Sequence, residues 1–175
     1  MKRETFTILS LAFLSFALGV AIVYLFFRGG SGAHEHSDTL TENLQSGISG
    51  ETVIYLSVRH GESRDEYVLY DDGLWRTEDG REIQQTYPIT SLSALSCIEG
   101  AIFVSSDKDA DAGYGFSTPT LEVVAVTSDK KRVTYTVGAK NYLTGMYYFT
   151  IGRTVYLIDG TFLEYFDYTA DEIAL

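Results

Sequence analysis

The longest stretch without a charge runs from Thr5 to Phe27, TFTILSLAFLSFALGVAIVYLFF. As a helix these 23 residues span roughly 34 Å, enough for a bilayer core of about 30 Å. Tyr24, Phe26 and Phe27 suit the far interface. A cleavable signal sequence is the rival reading, and Ser31 and Ala33 offer it a weak small-x-small site. The apolar region of such a signal is usually about 7–15 residues, shorter than this run. Lys2 and Arg3 precede the run and only Arg28 follows it before Arg59, a bias that favours the N-terminus inside and the rest of the chain outside. The expected organisation is an anchor over 1–28, a linker over 29–50 and an extracytoplasmic domain over 51–175, at the cytoplasmic membrane with a single pass.

The linker is rich in Gly, Ser and Thr, with a short helix expected near Thr41 to Leu44. Beyond it the apolar period changes to two. Val53 to Arg59 alternates and predicts a strand. Glu66 to Tyr70 and Leu74 to Thr77 predict a hairpin about Asp71-Asp72-Gly73. Leu92, Leu95, Ile98 and Ile102 recur at helical spacing and predict a helix over Thr90 to Gly100. Four strands follow, Thr120 to Thr127, Arg132 to Val137, Met146 to Ile151 and Thr154 to Ile158, with links short enough to force antiparallel neighbours. A last helix begins near Asp159 and turns Phe162, Leu163 and Phe166 inward, and Thr169 and Glu172 have capping-box spacing. The expected fold class is α+β: a mainly antiparallel, twisted, meander-like sheet with two helices on one face, preceded by one transmembrane helix.

Composition adds three constraints. With 13 Tyr, 10 Phe and 2 Pro the chain is too aromatic for disorder. From residue 5 onward it holds 11 basic and 23 acidic residues, a balance of −12, which argues against nucleic acid and anionic lipid headgroups as partners. A single cysteine, Cys97, rules out an internal disulfide and is expected as a small buried residue in the first helix.

Candidate chemistry is sparse. Val58 to Ser63 reads VRHGES directly after a strand and resembles the start of the histidine phosphatase superfamily, which would make His60 a nucleophile and Arg59 a phosphate clamp. That chemistry needs a second histidine far downstream, and the other two, His34 and His36, lie upstream. It also needs a crossover helix where a hairpin is expected, so the segment reads as a polar turn at Gly61. His34, Glu35, His36 and Asp38 have the donor types for zinc but sit in a flexible segment. Asp107, Asp109 and Asp111 alternate as in a calcium loop, yet the twelfth position is Thr118 rather than a bidentate Glu. Gly138-Ala139-Lys140 lacks the rest of a phosphate-binding loop. No metal or cofactor is expected.

Tyr114-Gly115-Phe116-Ser117-Thr118-Pro119 is similar to a Tyr-Gly-Leu-x-x-Pro signature. After it come a strand pair ending in Gly138, then Gly145-Met146-Tyr147-Tyr148, then Val155-Tyr156-Leu157-Ile158 before a helix. This order resembles the bacterial family catalogued as domain of unknown function 4340, over roughly residues 53–170 and most closely over 113–163. Phe116 stands where Leu is usual, and Ser117 where an acidic residue is common. The motif reads as structural: Gly115 in a backbone conformation closed to other residues, Pro119 at a strand entry, Gly138 at a strand end. Members of that family are often encoded beside ABC transporter components of the gliding-motility type. The resemblance therefore implies an accessory extracytoplasmic module with a membrane-embedded partner, and it is expected to be non-enzymatic because no complete set of nucleophile, base and oxyanion donor can be assembled. The rival is capture of a glycan or peptide on Tyr142, Tyr147, Tyr148 and Phe149; an enzyme built on Arg59-His60-Gly61 comes third.

Overall fold

A computed structural model describes residues 41–48 and 52–175. The expected anchor, most of the expected linker and the His34–Asp38 group lie outside the described residues. No described helix is long and apolar enough to cross a membrane.

Nine strands form one sheet: β1 (Thr41–Gln45), β2 (Val53–His60), β3 (Ser63–Leu69), β4 (Trp75–Thr77), β5 (Cys97–Ser105), β6 (Leu121–Thr127), β7 (Arg132–Lys140), β8 (Tyr147–Ile151) and β9 (Thr154–Ile158). Their spatial order is β1-β5-β9-β8-β7-β6-β2-β3-β4, antiparallel throughout. Two meanders, β2 to β4 and β6 to β9, meet where β2 pairs with β6. Helix α1 (Thr86–Ser96) carries the chain from one edge towards the other, and α2 (Thr161–Glu164) follows β9. Side chains of both helices enter one core: Leu95 from α1 and Phe162 from α2 join Leu56, Tyr67, Tyr135 and Phe149. Phe162 bridges Phe149 and Phe166, with ring centroids at 5.5 and 5.2 Å. The strands alternate because one face is buried. Val133, Tyr135 and Val137 point into the core, while Arg132, Thr134 and Thr136 point away. Val155, although buried, lies outside that core, because its cross-strand partner Thr150 alternates with the inward-facing Phe149.

Three expectations are corrected. The helix starts at Thr86, with Pro88 tolerated in its first turn, and ends at Ser96. Cys97 to Gly100, expected to be helical, begins β5. Gly100 adopts φ 67° and shifts the alternation, so that Ile98 and Ala101 both turn inward. That three-residue spacing imitates a helix. Second, Thr41–Gln45 is a strand, neither linker nor helix, and pairs Glu42 with Ala101 and Leu44 with Ile98. Once β5 is a strand its free edge needs a partner, and the polar TENLQ sequence suits an edge. The following residues strap across the core. Ser46 donates its backbone N–H to the Ser96 carbonyl at 3.2 Å, the Tyr135 hydroxyl donates to Ser46 Oγ at 3.0 Å, and Ile48 is 3% exposed. Third, Cys97 is exposed at the start of β5, not buried in a helix.

The C-terminal tail is pinned to the segment that follows β4, and its Ala170 and Ile173 enter the same core. Ile83 bridges to Ala174 and the Leu175 N–H donates to the Glu82 carbonyl at 3.0 Å. Thr169 and Glu172 exchange the two bonds their spacing predicts, Thr169 N to Glu172 Oε2 at 2.8 Å and Glu172 N to Thr169 Oγ1 at 3.4 Å.

Candidate functional site

Tyr114, Gly115 and Gly138 meet at one joint, where the loop after β5 crosses the outward end of β7. Asp111 Oδ1 accepts from the Gly113 N–H at 2.8 Å and starts a 3-10 turn over Ala112–Tyr114. Gly115 ends that turn at φ 76°, and a Cβ there would lie 2.7 Å from the Ala139 nitrogen. A Cβ on Gly138 would lie 2.0 Å from the Tyr114 carbonyl oxygen. Both positions therefore exclude any side chain, Gly138 by packing and Gly115 by packing and by its left-handed conformation. Tyr114 is held by the rings of Tyr148 at 4.9 Å and Phe116 at 5.9 Å, and Thr120 Oγ1 donates to the Gly138 carbonyl at 2.8 Å. Pro119 is half-buried just before β6, and Gly145 stands apart in the β7–β8 loop at φ 77°. Tyr114, Gly115 and Gly138 thus hold a loop to a strand.

Tyr142, Tyr147, Tyr148 and Phe149 do not share a surface. Phe149 is fully buried, and Tyr148 lies on the opposite side of β8, accepting from Asn141 Nδ2 at 3.0 Å. Tyr147 is half-buried with Lys140 Nζ 5.6 Å from its ring centre. Alternation along β8 forbids the four rings from lining one platform. Only Tyr142 is free, 94% exposed, and beside it stands Leu143 at 97%. Leu143 lies outside the aromatic pattern; the readable signal was an apolar pair between Asn141 and Gly145 in a loop joining two strands. That loop is braced from within. Asn141 Oδ1 accepts from the N–H groups of Leu143 at 3.0 Å and Thr144 at 3.3 Å, and the Asn141 carbonyl accepts from Gly145 N at 2.8 Å. Two large apolar side chains are thus presented to solvent on a fixed turn.

Arg59 and His60 are successive residues of β2 and point to opposite faces. The His60 Nε2 lies 2.9 Å from the Phe166 carbonyl, while Arg59 Nη2 lies 3.2 Å from Glu122 Oε2. The pair is not arranged to clamp one phosphoryl group. The three aspartates also diverge. Asp107 accepts from Arg153 at 2.7 Å, Asp109 is 3.9 Å from the same guanidinium, and Asp111 caps the 3-10 turn. Among the described residues no group of three or more His, Cys, Asp or Glu side chains could hold a metal ion.

One cleft opens between α1, β5 and α2, about 370 Å³ in volume. Ile98, Ile158 and Phe162 form its apolar part, and Ser93, Glu99 and Asp159 contribute polar groups. The Thr161 N–H donates to Asp159 at 2.8 Å, and this bond holds the Asp159 carboxyl below the usual carboxylate range. The cleft can accept hydrogen bonds but lacks a nucleophile paired with a base. No family model, curated protein or solved structure matches the chain.

Proposed function

We propose that this chain is a non-enzymatic, membrane-anchored interaction module that docks on a membrane-embedded partner through the Tyr142–Leu143 tip. The observation that carries the reading is the exposure of those two side chains, 94% and 97%, on a loop braced by five internal hydrogen bonds. Apolar area held in water on a rigid turn favours burial against a partner and loses little conformational freedom on binding. An ABC transporter component is the partner that the family resemblance implies. The domain lies outside the cytoplasm in this reading, tethered by the uncharged Thr5–Phe27 run. With Thr41–Gln45 in the sheet, the tether shortens to about twelve residues and a reach of roughly 19 Å, which keeps a membrane partner at high effective concentration.

The test is crosslinking in intact cells with a membrane-impermeant reagent, followed by recovery of the full chain. The expected product contains a membrane protein and is lost in the double variant Tyr142→Ser/Leu143→Ser, whose thermal midpoint stays unchanged because both positions are exposed. A product that persists in the double variant overturns the docking tip. Retention on cell-wall glycan with no protein product favours the rival reading, which the α1–β5–α2 cleft would serve in place of the dispersed aromatics.

A further inference from the structure

The described residues carry ten lysines and arginines, and five arginines are committed to ion pairs. Arg59 pairs with Glu122, Arg64 with Glu66, Arg76 with Asp72, Arg81 with Asp79 and Asp171, and Arg153 with Asp107 and Asp109. Four of the remaining five cations, Lys108, Lys130, Lys131 and Arg132, gather at one end of the sheet. Among the described residues none of the four has a carboxylate within 4.0 Å. Three of them, Lys108, Lys131 and Arg132, line a pocket of about 490 Å³ together with Thr134, Thr136 and Thr150, and no carboxylate lines it.

The pocket is assembled from three separate parts of the chain. Arg132, Thr134 and Thr136 form one outward column on β7, because they alternate with the buried Val133, Tyr135 and Val137. Thr150 is the cross-strand partner of Thr136 on β8 and is 4% exposed. Lys108 arrives half-buried from the loop after β5. The acids nearby are occupied. Asp107 and Asp109 face Arg153, Asp129 accepts from the Thr127 hydroxyl and the Lys131 N–H, and Glu122, across from Thr136, is held by Arg59. Lys131 Nζ donates to the Gly47 carbonyl at 2.7 Å and is fixed at the edge.

We propose that this pocket binds a small phosphate-type oxyanion, free or as a monoester. Two cations with uncommitted donors and the hydroxyls of Thr134 and Thr136 match a tetrahedral anion, which accepts charge-assisted bonds from the first and orienting bonds from the second, while the Thr150 hydroxyl donates to the Gly152 carbonyl at 3.5 Å. The net charge of −11 repels long polyanions from the molecule as a whole, which leaves the local reversal of sign to small ones.

Inorganic phosphate titrated onto the full chain in detergent micelles tests this by NMR. The expected result is a saturable shift of Lys108, Arg132, Thr134, Thr136 and Thr150 that weakens with added salt. Binding should fall at least tenfold in Lys108→Gln and severalfold in Thr136→Val, which keeps every charge, with thermal midpoints unchanged in both. A parallel NMR titration of the full chain in the same micelles with phosphatidylglycerol identifies the source: the same shifts, lost in Lys108→Gln, point to a lipid headgroup, and phosphate shifts without them point to a soluble phosphate. Shifts confined to Lys130–Arg132 and indifferent to both substitutions would be diffuse attraction and overturn the proposal, as would no saturable response.

Discussion

Tyr67 is wholly buried on β3, and its hydroxyl has no hydrogen-bond partner among the described residues. An unpaired buried hydroxyl costs about 1–3 kcal/mol of desolvation. Tyr67→Phe removes that oxygen and keeps the ring packed against Tyr168, so it should raise stability by about 1 kcal/mol in urea denaturation. A loss of similar size would mean that the hydroxyl has a partner. The other two deeply buried phenols are satisfied, Tyr135 by Ser46 at 3.0 Å and Tyr168 by Ser91 at 2.7 Å. Both partners lie outside the sheet, so each bond also fastens a covering segment to it.

At the scale of elements, the first segment of the described chain changes the account of the domain. β1 and the Ser46–Ile48 strap extend the fold upstream of residue 51 and into the expected linker. Ile48 is 3% exposed in the main core, so Ile48→Ala should cost about 2–4 kcal/mol by chemical denaturation. A true linker residue would change stability by less than about 0.5 kcal/mol, and such a result would return the strap to the linker. Strand pairing was readable where links are short: β6 to β9 follow each other in space as they do in sequence. It was unreadable at β1 and β5, whose partners come from distant parts of the chain.

The whole molecule gathers three buried phenols beneath its helices and strap. Burial pushes Tyr67 well above the ordinary phenol range, helped by the Asp65 carboxylate, and raises Tyr135 and Tyr168 to about 12. In the unfolded chain each ionises near pH 10. Between pH 10 and 12 the unfolded state therefore binds fewer protons than the folded one, and stability falls as pH rises. Each phenol contributes up to about 1.4 kcal/mol per pH unit over that window. Denaturation midpoints should be flat from pH 7 to 9 and drop steeply above 10, and a flat profile to pH 12 would show that these phenols ionise without unfolding.

The sequence by itself determined the strand-rich α+β class, the antiparallel order of the last four strands, the inward turn of Phe162 and Phe166, the turn at Gly61 and the Thr169–Glu172 box. Each is a local matter of period two, a short link or a fixed spacing. Tertiary structure decided the rest. β5 became a strand because β9 and β1 flank it, and the left-handed Gly100 hid its alternation. Alternation about Phe149 dispersed the four aromatics, leaving Tyr142 with Leu143 at the tip. Gly138 has a reason for its identity only where the Tyr114 loop, more than twenty positions upstream, touches the strand. The cationic pocket is likewise invisible along the chain, because Lys108, Arg132 and Thr150 become neighbours only through the sheet's register and the loop that crosses it.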